Sequence, residues 1–307
     1  MAKEKVTPNR FNQISTGWNV VFTIALLIVS LFMLIPLTLV IIVSFSSEAS
    51  IANIGFSFFP QEWSLAGYKY LMEMGDQVLA SYKITILHTI LGTLMSLTVM
   101  TMYAYVISLK NFRFRKIYTW VLFFTMLFSG GLVPAYIMNV RYLNIDNSIW
   151  IFLLPSLVSA YNVIILRTFI ISTIPDSLFE AARIDGAGHF KVFISIVLPL
   201  FKAGIATIAL FNVVNRWNDW FTGMLYIKDS KLTPLQTLLK NLQDNIDFLK
   251  QNAQIAGTPD GLALLDRLPD QNLRMACTMI VIIPILCAYP FFQRYFVQGL
   301  TLGSVKG

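Results

Sequence analysis

The stretch Pro175-Asp176-Ser177-Leu178-Phe179-Glu180-Ala181-Ala182-Arg183-Ile184-Asp185-Gly186-Ala187-Gly188, continuing to Ile196-Val197-Leu198-Pro199, lies between two long apolar blocks. Pro175-Asp176-Ser177 ahead of a mixed apolar and acidic run marks a helix start. Ala181 and Ala182 are small enough to let that helix approach another surface closely. Gly186 and Gly188 predict a sharp turn at its end. Phe190, Phe193 and Ile194 begin a second helical stretch with an apolar face. Leu198-Pro199 then opens the next helix, where proline in the first turn is acceptable. The prediction is a helix–turn–helix bracket, which a plain connection between two spans would not need.

Outward from the bracket the chain is dominated by apolar blocks. A bilayer core of about 30 Å needs about 20 apolar helical residues. Six blocks qualify, at roughly 18–44, 84–109, 117–138, 148–172, 200–226 and 275–297. Pro36, Pro134, Pro155, Pro284 and Pro290 lie inside them, and membrane helices tolerate proline because neighbours re-satisfy the freed carbonyl. The first block is too long for a signal-peptide core of about 7–15 residues and no A-x-A follows it, so it reads as a retained span. Only 13% of the 307 residues are charged and 56% are hydrophobic, where a soluble domain carries about a quarter charged residues. Mean hydropathy is +0.66.

The net charge of +7 could suggest nucleic acid in a soluble protein. Here the basic residues flank apolar blocks, which is the pattern of membrane orientation. Lys3, Lys5 and Arg10 precede the first block, and Lys110, Arg113, Arg115 and Lys116 join the second to the third with no acid among them. The first-to-second loop is more acidic, with Glu48, Glu62, Glu73 and Asp76 against Lys69 and Lys83. Both termini are then expected in the cytoplasm. The expected organisation is a cytoplasmic tail 1–17, a six-helix membrane domain 18–298 and a cytoplasmic tail 299–307. The domain includes the bracket loop 173–199 and a long outer loop 228–274. In that outer loop Leu235, Leu238, Leu239 and Leu242 have helical spacing, and Thr258-Pro259-Asp260-Gly261 reads as a turn. A small cap of one or two amphipathic helices is expected, serving either as an interfacial helix on lipid or as a platform for an extracellular partner.

Polar residues at membrane depth are costly and mark candidate sites. The fifth block carries Asn215-Arg216-Trp217-Asn218-Asp219-Trp220, and the fourth carries Tyr161 and Asn162. Arg216 and Asp219 are three apart, so they can face each other on one helix side. Aromatic faces beside amides and charges suit a sugar, which needs ring stacking and directional hydrogen bonds. The same residues could instead brace a partner helix. Both readings stay open from the sequence. Arg167 lies near the inner end of the fourth block, where its side chain can snorkel.

Cys277 and Cys287 share one apolar block without a C-x-x-C and read as buried bystander thiols. His88 and His189 lie apart with no carboxylates at ligand spacing, so no metal site is expected. No phosphate-binding G-x-x-x-x-G-K-[ST] occurs, so the chain is not expected to hydrolyse ATP, and no catalytic residues are assigned. A self-sufficient secondary transporter or channel is the alternative, and it would favour repeated halves and charged relays in several spans. The chain has no internal repeat and one main polar cluster.

The spacing of Glu180, Ala181, Ala182, Gly186, Ile196, Leu198 and Pro199 resembles the signature loop of binding-protein-dependent ABC importer permeases. Arg183, Asp185, Ala187 and Gly188 further resemble the carbohydrate, MalG-like branch. Phe128-Ser129-Gly130-Gly131-Leu132-Val133-Pro134 and the tail Gln298–Gly307 look like its complex-oligosaccharide subgroup. The resemblance implies an all-α, type I ABC importer permease fold in a bacterial inner membrane, with the bracket as a cytoplasmic coupling helix. It implies a second permease subunit, two ATP-binding subunits carrying ATP and magnesium, and an extracellular sugar-binding protein. No cofactor and no nucleic acid are implied for this chain. By the same resemblance Glu180, Ala181, Ala182, Arg183, Asp185, Gly186 and Gly188 would form the ATPase-coupling surface. Asn215, Arg216, Trp217, Asn218, Asp219, Tyr161 and Asn162 are the candidate substrate pathway.

Overall fold

A computed structural model describes residues 15–251 and 270–304. Helices account for nearly all regular structure, and among the described residues the β pairing is one isolated bridge, Ser46 with Trp63. Three helices are long and apolar enough to cross a membrane alone: α1 (Thr16–Ser44), α4 (Gly75–Ser108) and the first part of α15 (Asp270–Ser304). Three more candidates are bent pairs: Arg115–Leu127 with Leu132–Tyr142, Ala160–Thr173 with Asp176–Ile184, and His189–Leu200 with Lys202–Trp217.

The described residues divide into two compact units, 15–69 with 270–279, and 70–251 with 280–304. In the first, α1 is exposed along most of its length, as an apolar helix facing lipid would be. Ser47 caps α2 (Glu48–Ile54) by accepting from Ser50 N at 3.1 Å. Asn272 is fully buried, and its amide donates to Ser44 O at 2.9 Å and Ser46 O at 2.7 Å while its oxygen accepts from Gly67 N. The Glu48 carboxylate accepts from Gln271 N and Asn272 N in the first turn of α15, where an anion complements the helix dipole. These bonds tie the C-terminal end of α1 to the start of α15. α3 (Ala66–Glu73) leads toward the second unit.

The second unit is built around α4, which starts nine residues ahead of the expected block. Its added turns carry Ser81, buried against the fold. The expected third block is not one continuous helix. α5 (Arg115–Leu127) ends at Phe128, the chain turns by 113°, and α6 (Leu132–Ile137) runs into a π turn at Met138–Tyr142. Gly131 permits the turn because it sits at φ 87°, a region closed to most side chains. The expected fourth block is also broken, into α7 (Trp150–Leu153) and α8 (Ala160–Thr173), with Pro155 in the gap. Ser159 caps α8 by accepting from Asn162 N.

α9 (Asp176–Ile184) and α10 (His189–Val192) follow, then a π turn at Phe193–Val197 and the short α11 (Leu198–Leu200). The longer helix of this bent pair, the 16-residue α12 (Lys202–Trp217), begins later than Leu198-Pro199 suggested, after an 80° bend. The bend sits at Phe201, whose buried ring fills the space beside Gly204. A Cβ there would meet Cε2 at 2.2 Å. After α13 (Phe221–Tyr226) comes α14 (Leu235–Gln251), the expected amphipathic helix of the outer loop. Leu235, Leu238, Leu239 and Ile246 are buried, and Leu235 N donates to Thr85 Oγ1 of α4 at 2.9 Å, so the helix packs on this chain's own bundle. The expected turn Thr258–Gly261 lies outside the described residues, as do Lys3, Lys5, Arg10 and Lys306. The helix α15 continues through Gly299–Ser304, where a tail was expected. Cys277 is buried, but Cys287 is exposed on its span, so only one of the two thiols is a buried bystander.

Candidate functional site

The bracket forms as α9, a glycine turn and α10. Ile174 precedes Pro175, which disfavours helical backbone, and it is extended at φ −106°, ψ 111°. α8 therefore stops and α9 leaves at 77°. Asp176 in the first turn of α9 and Arg183 in its last both complement the helix dipole. The helix ends in a Schellman arrangement: Ala187 N donates to Ala182 O at 2.9 Å and Gly186 N to Arg183 O at 3.0 Å. Gly186 holds the left-handed position at φ 72°, while Gly188 is extended at φ −68°, ψ 159° and begins α10.

One face of the bracket packs inward. Ala182, Val192, Phe193 and Val197 join Tyr105 of α4 and Leu166 and Ile170 of α8 in the main core cluster. The Tyr105 ring lies 5.4 Å from Phe193 and 6.4 Å from Phe179, centroid to centroid, and its hydroxyl donates to His189 O at 3.4 Å. The inner face is also clamped to the basic α4–α5 loop. Lys110 pairs with Asp176, and once the Asn111 amide is turned so that its oxygen faces the guanidinium, both terminal nitrogens of Arg183 donate to it at 3.0 and 3.1 Å. Between clamp and bracket lies a cleft of about 300 Å³, lined by Glu180, Arg183, Asn111, Phe112 and His189 among others.

The other face is open. Ala181, Asp185, Gly186 and Gly188 are exposed there, as are Glu180 and Arg183 at the edge of the cleft; Ile184 is 87% exposed and Phe190 67%. A charged apolar tip of this kind, held by a packed base, is suited to docking in a groove on another protein. The seven bracket residues thus occupy one short bracket, with Ala182 alone turned into the helical core. The two alanines do not share one outward face, because adjacent helical positions point about 100° apart.

The polar cluster of the fifth block behaves differently. Arg216 is 6% exposed and caps the break in the fourth block: Nη1 donates to Phe152 O at 2.6 Å, and Nη2 to Ser156 O at 3.0 Å and Ser96 Oγ at 2.8 Å. Unwound backbone at membrane depth needs such donors, because lipid supplies none. Arg216 and Asp219 form no ion pair among the described residues, contrary to the helical-spacing expectation. α12 ends at Trp217, so Asp219 lies past the helix and accepts from Thr222 N instead. Trp217 is buried and its indole donates to Val281 O at 3.2 Å. Asn218 accepts from Gln236 at 3.1 Å and donates to Val214 O. Asn215 and Tyr161 are exposed, and Asn162 is half-buried in the first turn of α8.

Sequence reasoning missed the other half of this junction. Ser81, Thr85, His88, Thr89, Gly92, Thr93 and Ser96 are all buried along one face of α4. Their three-and-four spacing was visible inside the apolar block and is a helical stripe. His88 stacks on Phe152 at 4.9 Å, and neither ring nitrogen has a hydrogen-bond partner. Among the described residues no group of His, Cys, Asp and Glu could hold a metal ion.

Residues 104–302 match the family described as binding-protein-dependent transport system inner membrane component. The chain is 35% identical, over 92% of its length and 96% of the relative's, to the polygalacturonan/rhamnogalacturonan transport system permease protein YtcP of Bacillus subtilis. It is 35% identical to Protein LplC of the same organism, over 89% of this chain and 90% of that one. A solved structure, of a bacterial ABC transporter involved in import of the acidic polysaccharide alginate, superposes with a TM-score of 0.75 at 30% identity. That match covers 92% of this chain and 99% of the other. The family match over 104–302 takes in the bracket, its clamp and Arg216 itself, and the chain belongs to the family of binding-protein-dependent transport system inner membrane components.

Proposed function

We propose that this chain is the membrane-spanning permease subunit of an ATP-driven oligosaccharide importer. It receives sugar from an extracellular binding protein and is driven by separate ATP-binding subunits. The observation that carries the reading is the bracket: a rigidly based α9–turn–α10 unit with Glu180, Ile184 and Phe190 on its open side. Its packing against α4 and α8 supports a mechanical role, because a push on the tip reaches both helices through Ala182, Phe193 and Tyr105. The relatives' roles in polysaccharide transport support the sugar class.

In this reading the chain crosses a bacterial inner membrane six times, with α1, α4, the α5–α6 pair, α8, α12 and α15 as the crossings. Both termini and the bracket face the cytoplasm, because the α4–α5 loop is basic. The chain itself is non-catalytic, and ATP and magnesium sit on the partner ATPase subunits. A second permease completes the pathway. Glu180, Ala181, Arg183, Asp185, Gly186 and Gly188 form the coupling surface, with Ala182 as its internal anchor. Arg216, through its two terminal nitrogens, and Trp217, through its indole, are buried and brace the bundle, whereas Asn215, Tyr161 and Asn218, which are exposed, and Asn162 and Asp219, which are half-buried, are left to the sugar path.

The test is Glu180→Lys in the assembled transporter. The variant is expected to insert normally, to lose co-purification of the ATPase and to abolish uptake. Full uptake with the ATPase retained would remove the coupling assignment.

A further inference from the structure

An open groove of about 880 Å³ lies beside α5 and α8 at the end of the bundle that carries the α4–α5 loop, within the range of about 300–1,000 Å³ typical of ligand sites. Lys110, Arg113, Arg115, Lys116 and Arg167 line it, and no carboxylate does. The Lys110 ammonium is paired with Asp176, and Arg167 Nε donates to Ile107 O at 3.2 Å. Arg113, Arg115 and Lys116 enter no ion pair among the described residues. Arg115 and Arg167 are close enough to repel each other. A groove lined by five cations and no carboxylate, whose neighbouring acid Asp176 is taken by Lys110, calls for an anion.

The rest of the groove wall is apolar. Trp120, Phe123 and Leu127 continue the stripe begun by Lys116 at helical spacing. Trp120 is 73% exposed and Leu127 71%, so the rest of the second unit, among the described residues, does not cover them. α5 has 13 residues, a length of about 20 Å, which exceeds half of a bilayer core of about 30 Å. Cations at one end and an aromatic and aliphatic wall along a leaflet match the two halves of a single molecule.

We infer that this groove binds an anionic phospholipid, its headgroup among Arg113, Arg115, Lys116 and Arg167 and its acyl chains along Trp120, Phe123 and Leu127. Basic pockets between membrane helices bind anionic headgroups by this combination. A free anionic sugar would use the cations but leave the apolar wall without a partner. The inference rests on the reading that the α4–α5 loop faces the cytoplasmic leaflet.

The assembled transporter would be reconstituted with phosphatidylcholine and phosphatidylglycerol, extracted, and assayed for retained lipid by native mass spectrometry. Phosphatidylglycerol should be retained over phosphatidylcholine. The triple variant Arg113→Gln/Arg115→Gln/Lys116→Gln should retain at least about tenfold less, with its partner subunits still bound. Trp120→Ala/Leu127→Ala, which keeps every charge, should also lower retention. Equal retention in both variants would overturn the proposal. So would full displacement by glycerol phosphate or an anionic oligosaccharide, which would mark a free-anion site. Loss of a partner subunit in both variants would make the groove a protein interface and overturn it too. Orientation is read separately, by labelling Lys116→Cys with an impermeant thiol reagent in a background lacking Cys277 and Cys287. Labelling from the outer face alone would sink the orientation reading, whatever the lipid result.

Discussion

Gly92 of α4 stands where the Arg216 guanidinium enters from α12: a Cβ at Gly92 would lie 2.4 Å from Nη1 and 2.6 Å from Cζ. The guanidinium cannot retreat without releasing Phe152 O, Ser156 O and Ser96 Oγ. Small residues let membrane helices approach closely, and here the space is filled by a cation that completes the broken fourth block.

Gly92→Ala therefore has an unusual expected sign. In an open helix the change stabilises by about 0.5–1 kcal/mol. Here overpacking should outweigh that gain and destabilise by about 1–3 kcal/mol. Thermal unfolding of the purified transporter reads the difference, and a raised melting temperature would show that Arg216 is not held there.

Arg216→Lys keeps the charge and removes the fork. An ammonium carries three donors but on a single nitrogen, whereas the guanidinium reaches Phe152 O from Nη1 and Ser156 O and Ser96 Oγ from Nη2, so lysine cannot reproduce that geometry. Each buried acceptor left unpaired costs about 1–3 kcal/mol. The expected outcome is a clear loss of stability with unchanged sugar preference. Unchanged stability with a shifted sugar preference would make Arg216 a sugar ligand instead of a brace.

Gly186→Ala places a side chain at φ 72°, which costs about 1–2 kcal/mol for an L-residue. No neighbouring atom lies within 4 Å of the new Cβ, so the cost is conformational. The variant should insert and bind sugar normally but couple poorly, seen as reduced ATP-driven uptake. Gly75→Ala, in the first turn of α4 outside the bracket and with no atom within 4 Å of the new Cβ, is the control and should behave as the parent chain.

The sequence made the bracket and the apolar blocks readable because both are local patterns. Pro175, the E-A-A run and Gly186 each act within a few residues of themselves, and the amphipathic spacing from Leu235 reports its own helix. What stayed hidden depended on distant partners. The break between α7 and α8 is tolerable only because Arg216, some 60 residues later in the chain, donates to its carbonyls. The 113° turn at Gly131 reads as a glycine pair inside a span until φ is known. The Arg216–Asp219 pairing assumed that α12 continued past Trp217, and helix ends are set by packing as much as by local sequence. Glu48 and Asn272 meet across more than 200 residues, which no spacing rule could anticipate.

The central claim is that the α9–α10 bracket is where this chain meets its ATPase. The most direct measurement replaces Ile184, at the exposed tip, with a photo-crosslinking amino acid in membranes that carry the whole transporter, with exposed Lys231 as the control position. The account predicts an adduct between this chain and the ATP-binding subunit from position 184 and none from position 231. An ATPase adduct from position 231, or none from position 184 in a transporter that still imports sugar, would contradict it.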